Sequence, residues 1–85
     1  MEVRKPTDEE LKDVGHWEIW VKEVSEFPWE YFQEEHCYIL EGKAEVTLEN
    51  GKKVEFGKGD FVVFPKGLKC TWKIIEPIKK HYRFG

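Results

Sequence analysis

A chain of 85 residues is long enough for one domain with one hydrophobic core, so the sequence predicts a single domain over residues 1–85. The net charge is −3, lysine and glutamate are interspersed, and no basic block occurs, which argues against nucleic acid and acidic membranes as partners. No apolar run approaches the roughly 18 residues of a membrane span, and the first residues lack a signal-peptide core, so we expect a cytoplasmic protein with reduced thiols.

The composition is also unusual in its polar residues. The chain contains one Ser, one Gln and one Asn, whereas 36% of its residues are charged, mostly Lys and Glu. Few labile amides and many ion pairs are typical of thermophile proteins, so the sequence predicts a thermophilic origin. Aromatic residues make up 15% of the chain, which is enough bulky side chain to fill a small barrel.

The first predicted element is a short helix within residues 7–14. Thr7 and Glu10 have the spacing of a capping box, in which each side chain accepts a hydrogen bond from the other residue's backbone N–H. Gly15 bounds this helix. The remainder of the chain, about 15–85, is predicted to be β-structure.

The first strands are separated by turn and proline signals. Trp17–Val24 is a predicted strand rich in Trp, Ile and Val. Phe27-Pro28-Trp29 is expected to interrupt it, because proline cannot sit in a central ladder. Tyr31–Phe32 is then a short edge strand, and His36–Leu40 is a strand that ends at Glu41-Gly42-Lys43.

A hairpin follows. Ala44–Leu48 alternates apolar and polar residues, and Val54 and Phe56 lie on the return strand. Asn50-Gly51 lies between them, and because both residue types tolerate positive φ, we expect a type I′ turn.

The last third of the chain is also predicted to be β. Phe61–Phe64 is apolar at every position, which predicts burial on both faces. Residues 69–74 alternate, Pro77 is expected to interrupt that strand, and Lys79–Phe84 is a final strand. Short strands at regular spacing with turn signals between them indicate an all-β sandwich or barrel.

Two spacings resemble the motifs of the cupin family. Gly59, Pro65 and Gly67 match the second cupin motif, G-x5-P-x-G-x2-H-x3-N, with Cys70 in place of His and Ile74 in place of Asn. The resemblance implies that position 70 faces the barrel interior, where the family places a metal-binding His.

The first cupin motif, G-x5-H-x-H-x3,4-E-x6-G, aligns by counting back from Gly42. This count puts Glu35 at the family's ligand Glu. The two His positions of the motif then fall near Trp29 and Tyr31, and neither residue is His.

Three phrases sharpen the resemblance: Cys37–Gly42, Phe64–Gly67 and Lys80-His81-Tyr82. They are similar to the small cupins grouped with (S)-ureidoglycine aminohydrolase and ethanolamine-utilisation cupins, many of which have no known function. The resemblance implies an all-β, single-domain cupin jelly-roll barrel, with the short helix before it. It also suggests ureide or amine metabolism. A domain this small further predicts a homodimer that covers an edge strand.

One interpretation of the site is a metal centre. Glu35 and Cys70 are candidate ligands for Mn, Fe, Ni or Zn, since a carboxylate and a thiolate both bind such metals. Two ligands do not hold a metal, and His36, His81 or Tyr31 would have to complete the set. Because Glu35 faces inward, alternation turns His36 outward and makes it a poor candidate.

A second interpretation is a metal-free pocket for a small molecule. Alternation places Cys37 inward with Glu35, and Trp72 inward with Cys70. An inward carboxylate needs a partner, and Lys66 or Lys80 is available. The residues predicted to line or contact the pocket are Trp20, Trp29, Tyr31, Cys37, Lys66, Trp72 and Tyr82.

A third interpretation is nucleophilic catalysis by Cys70 or Cys37, with Lys69 or His81 as the activating group. The sequence as a whole predicts a small cupin barrel that binds, or binds and transforms, a small nitrogenous or carboxylate metabolite. Glu35 and Cys70 are the candidate catalytic residues, and a hydrolase or an isomerase of small metabolites is the enzyme class left open. The alternative is a non-catalytic sensor or assembly cupin with a filled, metal-free barrel.

Overall fold

The computed structural model describes residues 1–85 as one α-helix and seven β-strands. In chain order the elements are β1 (Glu2–Arg4), α1 (Asp8–Val14), β2 (Glu18–Lys22), β3 (Ser25–Glu30), β4 (Glu35–Leu48), β5 (Lys53–Gly57), β6 (Phe61–Phe64) and β7 (Lys69–Phe84). The single helix, of seven residues, is too short to cross a bilayer.

The two long strands β4 and β7 organise the fold. They pair antiparallel along their length, from Glu35 opposite Phe84 to Leu48 opposite Cys70. The first half of β4 also pairs with β6, and the second half pairs with β5. Similarly, the first half of β7 pairs with β3 and the second half with β2. The seven strands form one hydrogen-bonded sheet with two halves, β1-β6-β4-β7-β2 and β5-β4-β7-β3, which we call the two sheets, and the prediction of an all-β jelly roll with one short helix is confirmed.

The long strands bend where one sheet passes into the other. The β4–β7 register shifts between Ile39 and Ala44. Gly42 has φ +97°, and a Cβ there would lie 2.1 Å from the carbonyl oxygen of Pro77. The predictions that a strand ends at Glu41-Gly42-Lys43 and that Pro77 interrupts another are therefore wrong, because both strands continue through the bend.

Side-chain hydrogen bonds connect the N-terminal segment to the helix. Thr7 Oγ1 accepts from the backbone N–H of Glu10, and Glu10 Oε1 accepts from that of Thr7, so the predicted capping box is confirmed. The guanidinium of Arg4 donates to both Glu10 oxygens at 2.7 Å and lowers the pKa of Glu10 to about 2. β1, which pairs with β6, was not predicted, since a three-residue strand carries no periodic signal.

The region after the helix differs from the prediction in three details. β2 is shorter than Trp17–Val24. Phe27-Pro28-Trp29 lies inside β3, where proline is tolerated because β3 pairs only with β7 and its other edge is free. Tyr31 lies in no strand, although its backbone bonds to Leu68 and Gly67 at 2.9 and 2.7 Å.

The predicted hairpin at Asn50-Gly51 is present, but its turn is of another type. Gly51 has φ +85°, whereas Asn50 does not have positive φ. The N–H of Gly51 donates to the carbonyl of Leu48, and the N–H of Leu48 donates to that of Lys52. This is the pattern of a type I turn followed by a left-handed glycine, so the type I′ prediction is wrong.

The core lies between the two sheets. Trp72, Phe64, Ile39 and Ile74 are among its fully buried side chains. Both faces of β6 are buried, as predicted. Phe64 lies in the core between the sheets, and Phe61, on the opposite face of the strand, packs against Trp17.

Candidate functional site

A cavity of about 560 Å³ opens on the side of the jelly roll that β2 and β3 flank. Its walls are mainly aromatic, and the charged residues that line it are Glu35, Lys80 and, at its exposed rim, Lys22. Its volume lies within the range of small-molecule sites. The aromatic residues that line it are Trp20, Phe27, Trp29, Tyr31, Trp72, Tyr82 and Phe84.

A buried ion pair lies in the wall of this cavity. Lys80 Nζ donates to Glu35 Oε2 at 2.6 Å, and the two residues are only 5% and 4% exposed. Glu35 is the first residue of β4, and Lys80 lies opposite Ile39 on β7, so the pairing of these two long strands brings the charges together. Of the two lysines that the sequence offered as partners of Glu35, the structure selects Lys80.

The ammonium group of Lys80 is enclosed by aromatic rings. Its Nζ lies 4.8 Å from the ring centroid of Trp20, 5.0 Å from that of Trp72 and 5.9 Å from that of Tyr82. Ring faces attract a cation, so this enclosure offsets part of the lost hydration. Burial acts to lower the pKa of Lys80, but the carboxylate of Glu35 acts to raise it, and the net pKa lies above the ordinary lysine value.

Cys37 is the third member of a buried polar cluster with Glu35 and Lys80, and it lies behind the cavity wall. Its side chain is fully buried, its Sγ donates to Glu35 Oε2 at 2.7 Å, and Lys80 Nζ lies 3.4 Å from the sulfur. Burial raises the pKa of Cys37 well above the ordinary thiol range. The group therefore stays a neutral thiol near pH 7.

Tyr31 forms a second polar contact in the wall. Its hydroxyl oxygen accepts from Trp72 Nε1 at 3.0 Å, and its ring stacks on Phe64 at 4.5 Å. Burial, with a further contribution from Glu35, raises the pKa of Tyr31, so the phenol stays protonated near neutral pH. The contacts with Trp72 and Phe64 hold the ring in one orientation.

Most of the sequence-predicted site residues line one cavity. These are Trp20, Trp29, Tyr31, Glu35, Trp72 and Tyr82. Cys37 lies directly behind it and contacts Glu35 and Lys80.

Besides Cys37, two further predicted site residues do not line the cavity. Lys66 is exposed in the turn that follows β6. Cys70 is 8% exposed and lies opposite Trp29 in the β3–β7 register, but it is absent from the cavity wall. The motif position of Cys70 therefore predicts its inward orientation correctly, while its contact with a ligand is not supported.

The donor set does not fit a metal ion. No three His, Cys, Asp or Glu side chains lie close enough together to hold one. Glu35 already binds the ammonium of Lys80, which places a positive charge where a metal would approach the carboxylate. His36 bonds to Glu34, and His81 lies near the carbonyl of Trp17 at 3.3 Å.

Neither thiol has the surroundings of a nucleophile. Burial raises the pKa of Cys70 to about 11 and that of Cys37 further. Lys69 is exposed, and His81 contacts Trp17 on the other side of the sheet. The thiolate that nucleophilic attack requires is therefore scarce near neutral pH.

Lys80 is the central residue of the site, and the sequence offered it only as one of two partners for Glu35, not as a residue that lines the pocket. In β7 the residues Ile78, Lys80 and Tyr82 share one face, and Lys80 is buried like Ile78. The period-2 alternation contains this signal, since it turns residue 80 inward with its apolar neighbours.

The chain matches the EutQ-like cupin domain family over residues 9–82. A DUF861 family protein from Thermotoga maritima is 58% identical, and the match covers 99% of this chain and 98% of that chain with a TM-score of 0.95. No curated protein matches the chain significantly.

More distant structures share the fold alone. The EutQ protein of Clostridium difficile is 21% identical over 78% of this chain, with a TM-score of 0.71. A putative ethanolamine utilization protein from Salmonella typhimurium is 24% identical over 78%, with a TM-score of 0.70. This chain spans about half the length of these two proteins, 52% and 53%.

Proposed function

The chain belongs to the family of EutQ-like cupin domains, and we propose that it binds a small nitrogenous or carboxylate metabolite in the cavity beside Glu35 and Lys80. The observation that supports this proposal is the buried ion pair in a cavity wall. Removing two charges from water costs free energy, and a protein in which apolar residues of similar size replace such a pair is often at least as stable. A buried ion pair that faces an open cavity is therefore a candidate binding site.

The size and walls of the cavity support the same proposal. A volume of about 560 Å³ accommodates a small metabolite, and Trp20, Trp29 and Trp72 offer flat surfaces for its apolar part. The rival function, a sensor or assembly cupin with a filled barrel, would leave no cavity of this size. A chemical step would use Lys80 as the hydrogen-bond donor to a carbonyl oxygen and Glu35 as the group that accepts a proton.

The four tryptophans allow a direct test. Trp20, Trp29 and Trp72 line the cavity, whereas Trp17 packs against Phe61 outside it. In a metabolite screen by NMR, a ligand should shift the three cavity indole N–H signals and leave that of Trp17 unchanged. A screen in which no compound moves the three signals would overturn the proposal.

The working state of the protein is proposed as a cytoplasmic homodimer of thermophilic origin. β2 is an edge strand, and its residues Ile19 and Val21 are 52% and 64% exposed, so a second copy that covers this edge would remove apolar surface from water. Light scattering of the purified protein should give twice the chain mass of 10.2 kDa, and a monomer at all concentrations would contradict it.

A further inference from the structure

The carboxylate of Glu35 has one oxygen that the protein leaves open. Oε2 accepts from both Lys80 and Cys37, whereas Oε1 accepts from no protein group. No fully buried side-chain oxygen or nitrogen lacks a partner, so Oε1 is not sealed inside the protein. Because Glu35 lines the cavity and is 4% exposed, the cavity is where this oxygen meets a ligand.

Lys80 supplies a matching open donor. An ammonium group has three N–H bonds, and in Lys80 one is directed at Glu35 Oε2 and a second, at 3.4 Å, at Cys37 Sγ. The third has no oxygen, nitrogen or sulfur acceptor in the protein, and Lys80, whose ammonium also contacts the rings of Trp20 and Trp72, lines the cavity. The two members of one buried ion pair therefore carry an unpartnered acceptor and an unpartnered donor, and both residues line the cavity.

The charge at this point restricts the ligand further. Glu35 and Lys80 carry opposite charges, and Cys37 and Tyr31 are neutral, so the buried polar cluster is neutral overall. An anionic ligand bound to Lys80 would also lie close to the carboxylate of Glu35, and a cationic ligand bound to Glu35 would also lie close to the ammonium of Lys80. Either contact places like charges together where little water screens them. Lys22 is at the exposed rim, where solvent screens its charge.

We propose that the ligand of this site is a small neutral carboxamide. Its N–H donates to Glu35 Oε1, its carbonyl oxygen accepts from Lys80 Nζ, and its apolar part packs against Trp20 and Trp72. A carboxamide carries a donor nitrogen and an acceptor oxygen on the same carbon, which is the complement of the open pair. This inference rests on the proposed function and narrows its ligand class.

The test compares matched compounds that differ only in the polar group. One set is benzamide, benzoate and benzylamine, and the other is propionamide, propionate and propylamine. Affinities are measured at pH 7 by NMR titration of the Trp20, Trp29 and Trp72 indole signals, with Trp17 as the internal control. We expect at least one amide to bind about tenfold tighter than its acid and its amine, which is a difference of about 1.4 kcal/mol.

A variant without the pair supplies the matched control. Glu35→Leu combined with Lys80→Met replaces both charges with apolar side chains of similar size, and in it the three members of a set should bind within about threefold of one another. The carboxamide proposal is overturned if an acid or an amine binds as tightly as its amide to the wild-type protein, or if neither amide binds while other compounds do. In both cases the proposed function stands. If no compound of any class moves the three cavity signals, both proposals fail.

Discussion

The ammonium nitrogen of Lys80 lies 2.6 Å from Oε2 of Glu35, and both side chains are almost fully buried beside an open cavity. By its spacing from Gly42, Glu35 occupies the position at which the cupin motif has a metal-ligating Glu. In this chain the cation next to that carboxylate is the ammonium group of Lys80. The site is therefore organised around a fixed ion pair inside an aromatic cavity.

Removal of one charge from this pair should destabilise the protein strongly. Glu35→Gln leaves the Lys80 ammonium buried without a counter-charge, and we expect a loss of about 3–5 kcal/mol in the free energy of unfolding. The Glu35→Leu, Lys80→Met double variant removes both charges and should stay within about 1 kcal/mol of wild type or exceed it. Urea unfolding measures both, and a Glu35→Gln protein as stable as wild type would contradict the buried pair.

The same pair predicts a dependence of stability on alkaline pH. Because the pKa of Lys80 is raised above the ordinary 10.5, the pair stabilises the fold fully below that pH and loses its effect as pH rises through the folded-state pKa. The stability difference between wild type and the double variant should thus be constant from pH 7 to 10. Above pH 10.5 the wild type should lose stability relative to the double variant. A stability difference that stays constant to the end of the titration would contradict the raised pKa of Lys80.

The ion pair between Arg4 of β1 and Glu10 of the helix predicts that the stability of the protein depends on pH in the acid range. Arg4 lowers the pKa of Glu10 to about 2 from 4.5, so this pair stabilises the protein above pH 4.5 and loses its effect as pH falls toward 2. Glu10→Gln keeps the capping box but carries no charge. The stability advantage of wild type over this variant should be small at pH 7 and vanish between pH 4.5 and 2, and an advantage that persists at pH 2 would rule out the ion pair as its cause.

The bend between the sheets predicts that Gly42 cannot be replaced. In Gly42→Ala the new methyl group would overlap the Pro77 carbonyl, so we expect a loss of more than about 4 kcal/mol or failure to fold. Gly51 is the matched control, since it has φ +85° and open space around it, and Gly51→Ala should cost about 1–2 kcal/mol. Equal losses in the two variants would show that backbone conformation alone, without the close contact, accounts for the effect.

The donor set predicts weak metal binding. Protein incubated with manganese, iron, nickel or zinc and then desalted should retain well below one equivalent, because Glu35 is engaged by Lys80 and no third ligand is near. Elemental analysis measures the retained metal. Near-stoichiometric metal that is lost in Glu35→Gln or Cys70→Ala would instead establish the metal centre that the cupin motifs imply.

Alternation along the strands predicted most of the fold and the inward set Glu35, Cys37 and Trp72, because burial of one sheet face enforces a period of two. The bend was missed because it depends on the contact between Gly42 and Pro77, which are 35 residues apart in the chain. Lys80 was named only as one of two lysines available to Glu35, because the sequence alone does not show which lysine lies near the carboxylate. Only the pairing of β4 and β7 brings it to Glu35.

Cys70 and Lys66 were predicted to contact a ligand, but neither residue lines the cavity. Both were assigned from the second cupin motif, whose turn and following strand are present. The motif fixes the backbone of this corner, but which side chains reach the cavity depends on the walls that β2 and β3 supply. Trp20, Phe27 and Trp29 of these strands line the cavity, whereas Cys70 and Lys66 do not.

The central claim is that Glu35 and Lys80 bind a ligand in the cavity, and the most direct measurement is the affinity of the tightest screened ligand for two proteins. These are wild type and the Glu35→Leu, Lys80→Met double variant, both shown to be folded by their unfolding curves. Loss of two hydrogen bonds to charged groups should weaken binding about 100-fold or more. Equal affinity for both proteins would contradict the claim and leave the ion pair without a role in binding.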